Sequence, residues 1–250
     1  MNKIITTVLT TSLLFAGINN ALADEATTKV DPSDLTKVNT AVSISMANNG
    51  ASKLTGSLGF GYKNGQMGMT TLEGQLDDEG RYSDSRLQYF HVFNIGGDVI
   101  PRAALSIDII DNQSFTTAAA GGLAMFQTPM ESLTFYGRAA VLGGQYKDNF
   151  ADYMGESNTD IFGGMGAAYA VWKPGSDGSY FYISPEYTYL GGDIETTTTK
   201  ITLFAATPMS ADGKRWGQLK FESSDISMKS NAKNEGGTDN VVSIAYKVFF

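Results

Sequence analysis

The last twelve residues, Asp239 to Phe250, constrain this chain more than any other stretch. Counted back from the end, Phe250, Val248, Tyr246, Ile244 and Val242 fall on one face of an extended strand, because successive side chains point to opposite faces. Lys247, Ala245 and Ser243 fall on the other face, with Phe249 beside the terminus. Such a strand suits two settings: an apolar solvent outside and a polar interior, or the surface of an ordinary soluble core.

An apolar-out, polar-in strand that closes on a phenylalanine resembles the closing strand of Gram-negative outer-membrane β-barrels of the small porin-like class. The resemblance implies a transmembrane antiparallel up-and-down barrel, and it implies that Phe250, Val248, Tyr246 and Ile244 form the signal read by the barrel assembly machinery. The other end of the chain agrees. Lys3 begins a short apolar stretch from Ile4 to Ala16, and Ala21-Leu22-Ala23 makes a small-residue cleavage site before Asp24-Glu25. Residues 1–23 therefore read as a cleaved signal peptide, with the bacterial outer membrane as destination. No later segment offers about 18 consecutive apolar residues, so a helical membrane protein is excluded.

Composition narrows the class further. The formal net charge is −8, and cleavage after residue 23 would remove one lysine and no acid, giving −9. An acidic exported chain is a poor partner for nucleic acid. Cysteine is absent, which removes disulfides and thiolate metal sites, and no cofactor is implied. Gly (28) and Tyr plus Phe (26) are abundant and no long helical pattern appears, as expected for one β-rich domain.

Residues 24–38 read as a polar periplasmic tail or short plug, and residues 39–250 as the barrel. Strands are expected at 39–47, 53–62, 66–76, 86–94, 101–110, 115–127, 132–146, 160–172, 180–190, 197–208, 215–224 and 239–250. That makes twelve; ten strands after a longer N-terminal segment is the competing count. With a periplasmic N-terminus, the turns at 63–65, 95–100, 128–131, 173–179 and 209–214 fall on the inside and are short. The alternate connections 77–85, 147–159 and 225–238 are longer, as outside loops are in such barrels. Tyr62, Phe93, Phe126, Phe135, Trp172, Tyr180, Trp216 and Phe250 map near periplasmic strand ends, and Tyr82, Tyr89, Tyr146 and Tyr189 near the opposite rim. Two aromatic girdles would arise this way.

Function must come from the lumen. The inward face is rich in small residues, as in Thr55-x-Ser57-x-Gly59-x-Gly61, which would leave space for solutes. Eight strands give a filled barrel and sixteen an aqueous channel, so twelve allow a narrow pore. A lipid-facing charge at mid-membrane costs about 2–4 kcal/mol, and strand parity turns Glu73, Arg86, Asp108, Arg138, Glu186, Lys200, Lys220, Glu222 and Lys247 inward. Lys200, Lys220 and Lys247 lie on three consecutive strands at descending heights. They read either as a basic ladder guiding an anionic solute past opposing Glu73, Asp108 and Glu186, or as part of a salt-bridge network that stiffens a closed lumen.

Catalysis finds little support. His91 is the single histidine, and its parity groups it with Leu87, Tyr89 and Phe93 on the lipid side. No Gly-x-Ser-x-Gly elbow or His-Glu-x-x-His motif occurs. The acidic runs Asp77-Asp78-Glu79 and Asp148 to Asp160 match no calcium loop and read as solvated loops, with a possible contact to cations bridging lipopolysaccharide. The expected function is passive passage of small hydrophilic, preferentially anionic solutes through an outer-membrane channel. A non-conducting structural, adhesive or receptor barrel is the alternative.

Overall fold

The computed structural model describes residues 30–250; the expected signal peptide and residues 24–29 lie outside the described residues. Twelve strands follow one another: β1 (Ala41–Ala47), β2 (Ser52–Gly61), β3 (Met67–Leu76), β4 (Tyr82–Asn94), β5 (Arg102–Asn112), β6 (Phe115–Gln127), β7 (Leu133–Tyr146), β8 (Asp160–Trp172), β9 (Tyr180–Gly191), β10 (Glu195–Pro208), β11 (Arg215–Lys229) and β12 (Asn234–Phe249). Among the described residues the one helix is short: α1 (Asp148–Met154), between β7 and β8.

Each strand pairs antiparallel with its neighbours in sequence, and β1 pairs with β12 from Ala41↔Phe249 to Ala47↔Ser243, closing the barrel. Closure gives every strand two partners and leaves no unpaired edge in an apolar surround. The count is twelve, and the ten-strand alternative is excluded. Alternation is visible on the outer surface, where Ile44, Leu72, Ile107, Val141, Phe162, Leu203 and Ile244 are exposed large apolar residues. Their strand neighbours point into the lumen.

Several expectations need correction. The polar stretch 225–238 is largely strand rather than loop, and 77–85 shrinks to a turn over 77–81. β4 begins at Tyr82, and β11 and β12 run on to Lys229 and from Asn234. The reason is physical. Residues 234–240 are exposed on both faces, so this hairpin projects beyond the apolar belt and needs no apolar alternation to pair. Only 147–159 is a longer outside connection, and it carries α1. The turn after β3 is tight: the Gly80 N–H donates to the Asp77 carbonyl (3.1 Å), and Gly80 takes φ 78°. The Asn64-Gly65 turn has the same form, with Gly65 at φ 80°. A glycine supplies the left-handed residue that this hairpin geometry requires.

The expected aromatic girdles are corrected at four positions, three by face and Tyr89 by strand end. Trp216 and Tyr180 are buried inside the periplasmic end, and Tyr146 is buried inside the outer end. Tyr89 reaches toward the periplasmic side, where its hydroxyl lies 2.9 Å from that of Tyr62. Tyr62, Phe126, Phe135, Trp172 and Phe250 do face outward near the periplasmic rim, as Tyr82 and Tyr189 do at the other.

Two apolar clusters fill the ends of the lumen. At the periplasmic end Tyr136, Tyr180, Trp216 and Phe249 pack with Met125 and Val171, and Val30, Leu35 and Val38 of the N-terminal segment pack against them. At the outer end Ala151 and Met154 of α1 pack with Tyr146, Ile161, Leu190 and Ile194. Ser230 Oγ donates to the Met154 carbonyl (2.7 Å), which ties α1 to the β11–β12 hairpin.

Candidate functional site

Between the two apolar ends lies a charged middle. One cavity, about 510 Å³, opens toward the periplasmic half; a second, about 370 Å³, opens toward the outer half. Lys53, Glu73, Arg86, Arg138, Glu186 and Lys200 line both and so mark the waist where the cavities meet. Lys220, Glu222 and Lys247 line the first cavity, and Asp108 lines the second. Every charge assigned inward by parity therefore faces one of these spaces. Lys53 belongs with them although it was not singled out. It shares the inward parity of Thr55 and Ser57, which is the signal that could have found it.

On one wall Asp108 of β5 is 1 % exposed and sits among three donors. Arg86 Nε donates at 2.7 Å, Gln88 Nε2 at 2.8 Å and Arg138 Nη2 at 3.1 Å, and Arg86 Nη2 makes a further short contact. Two guanidiniums share this one carboxylate, and Asp84, two residues before Arg86 on β4, also lines the outer cavity. Asp108, so enclosed, is tolerated because every oxygen is paired.

The lysines do form a staggered line. Lys200 registers with Ser224, four residues beyond Lys220 on β11, and Lys220 registers with Ser243, four residues before Lys247 on β12. Their surroundings differ from a bare ladder. Glu186 does not oppose the lysines across the lumen; it is the cross-strand partner of Lys200, with Nζ–Oε1 at 2.9 Å. Lys220 pairs with Glu222 at 2.6 Å, and Lys53 with Glu73 at 3.9 Å. Among the described residues Lys247 has no carboxylate within salt-bridge distance; its Nζ stands 4.9 Å over the Phe249 ring. The staggered lysines and the ion pairs are thus present in the same lumen.

The N-terminal segment crosses the periplasmic mouth. Ser33, Asp34 and Thr36 are buried, and Pro32 and Leu35 form part of the wall of the larger cavity. Asp34 Oδ2 meets Arg102 Nη2 of β5 at 2.7 Å, and Tyr136 Oη accepts from the Leu35 N–H at 3.3 Å. Asp31 lies 3.8 Å from Lys37 and 3.7 Å from Lys173 in the turn after β8. Burial opposes ionisation of Asp31, yet the Ser33 hydroxyl and these two lysines hold its carboxyl below the usual value. Gly59 explains the close seating. A Cβ there would lie 2.8 Å from the Asn39 nitrogen and 3.0 Å from the Val38 carbonyl carbon. The space that small inward residues seemed to leave for solute is, at Gly59, occupied by the chain itself.

His91 lies on the outer side of β4. Its Nδ1 is 2.9 Å from the Tyr89 hydroxyl and its Nε2 is 2.9 Å from Gln66 Oε1, with Phe93 and Tyr62 rings alongside. The terminal strand presents Val242, Ile244, Tyr246 and Phe250 outward, while Phe249 turns inward and is 2 % exposed.

No family model matches the chain, and no curated protein matches it. Solved structures do. The NanC porin aligns with a TM-score of 0.61 at 10 % identity, over 84 % of this chain and 99 % of that one. An outer membrane channel from Pseudomonas putida F1 aligns with a TM-score of 0.57 at 10 % identity, over 88 % of this chain and all of that one (100 %). The chain has the fold of the small outer-membrane porins.

Proposed function

We propose that the chain is a bacterial outer-membrane channel through which small hydrophilic solutes pass passively, with a modest preference for anions. One observation carries this reading: two cavities meet at a waist lined by six charged side chains, inside a barrel whose outer surface is apolar. Even paired, buried charge on this scale is costly to desolvate, and water or solute sharing the space lowers that cost. The similar fold of the NanC porin and of the Pseudomonas putida F1 channel supports the same reading. Residues 1–23 act as a cleaved export signal, lipopolysaccharide and phospholipid surround the barrel, and the assembly machinery reads the strand ending in Phe250. Nothing in the lumen requires a catalytic role, and the lone histidine serves the lipid-facing rim.

Liposome swelling tests the function. Reconstituted protein should admit small neutral and anionic solutes at rates that fall steeply with solute size, faster for a small anion than for a cation of equal size. Swelling no faster than in protein-free liposomes would favour the non-conducting barrel. Deletion of Phe250 should sharply lower the amount reaching the outer membrane, and unchanged amounts would remove its signal role.

A further inference from the structure

The two cavities differ in chemistry. The larger is lined mainly by charged and hydroxyl side chains together with tyrosines. The smaller has a charged floor and, above it, one continuous apolar wall. On β7 the successive inward positions are Arg138, Ala140 and Leu142. Ala140 registers with Met165 of β8, and Leu142 with Ala119 of β6. The apolar wall therefore rises directly from the guanidinium, over about 13 Å at 3.3 Å per residue.

Resting on the channel reading above, we propose that this outer cavity is a binding subsite for an amphiphilic carboxylate, a medium-chain or arylalkyl monocarboxylic acid. Its carboxylate meets the Arg86–Arg138 pair, and its apolar body lies along Ala119, Ala140, Leu142 and Met165. Three observations converge. Two guanidiniums share the single carboxylate of Asp108, so they retain donors and charge for a second carboxylate, which the planar fork of arginine fits. The cavity volume, about 370 Å³, falls within the range of small-molecule sites. The side chains of Ala119, Ala140, Leu142 and Met165 offer no hydrogen-bond donor or acceptor, whereas Asp84, Thr117, Thr188 and Thr198 elsewhere on the lining do, so a polyhydroxylated acid would leave unpaired the hydroxyls it turns toward the apolar wall. Each such hydroxyl lowers affinity by about tenfold.

The test uses the full barrel in nanodiscs, with empty nanodiscs as control, and ligand-observed NMR titration with hexanoate and with gluconate. Hexanoate should bind saturably and at least tenfold more tightly than gluconate. Arg138→Gln should weaken hexanoate binding by about tenfold. Leu142→Asn should weaken hexanoate while leaving gluconate no weaker. Both variants must retain the heat-modifiable gel mobility of the folded barrel. Gluconate binding as tightly as hexanoate, or hexanoate binding untouched by either substitution, overturns the subsite. Ion currents from the same preparations keep the two claims apart: current without hexanoate binding removes the subsite alone, and binding without current removes the channel but keeps the subsite.

Discussion

At Asp108 a single carboxylate balances two arginines, so its replacement changes both charge and stability. In Asp108→Asn the lumen gains one net positive charge, and Arg86 and Arg138 face each other without a counter-ion. The variant should shift the reversal potential toward anions and lose about 1–3 kcal/mol of stability, read from the temperature at which gel mobility changes. A shift toward cations would contradict the place of Asp108 in the lumen. Gly59 makes a separate point. A methyl at 2.8 Å from the Asn39 nitrogen forces the backbone of the N-terminal segment to move. Gly59→Ala should leave the barrel folded but expose the segment to added protease. Wild-type resistance in the variant would mean that the segment is not seated there.

Among the elements, the N-terminal segment has the least redundant support. Its polar anchors to the barrel are Asp34 to Arg102 and Asp31 to Lys173, while Lys37 pairs with Asp31 within the segment. The Asp31 carboxyl is held below its usual value in the folded state, so its contribution is complete above the unfolded value and is lost as pH falls through the folded one. Seating should therefore weaken below about pH 4 and not between pH 5 and 8. A mature chain starting at residue 39 should conduct in larger steps than the full mature chain, and acidification below about pH 4 should bring the full chain toward it. Identical steps from both chains at every pH would show that the segment does not obstruct the mouth. The sequence made the strands legible because lipid imposes alternation on each one. It left this segment ambiguous between tail and plug, since its docking depends on Tyr136, Arg102 and Lys173, more than 60 residues away in the chain. The same reasoning covers the β11–β12 hairpin, which pairs beyond the membrane where no alternation is demanded.

At the scale of the whole molecule, the chain encloses a weakly basic lumen within a protein of formal charge −8. Parity alone was enough to turn the nine named charges inward. It could not tell which would be neutralised, because pairing depends on register: Glu186 lies beside Lys200, and Lys220 has Glu222 two residues on in its own strand. What remains outside the ion pairs is one positive charge on the shared arginine pair, Lys247 and, with opposite sign, Asp84, too little for strong selectivity. Fixed charge in a narrow, low-dielectric lumen still acts more strongly than in bulk water, and salt weakens it. The most direct measurement is the reversal potential of the purified protein in a planar bilayer under a potassium chloride gradient, compared with that of a variant carrying Lys200→Gln, Lys220→Gln and Lys247→Gln. Small channels should appear with a modest anion preference that moves toward cations in the triple variant and fades as salt rises. Absence of channels from repeated preparations would contradict the account, and a cation-selective wild type would contradict its electrostatics.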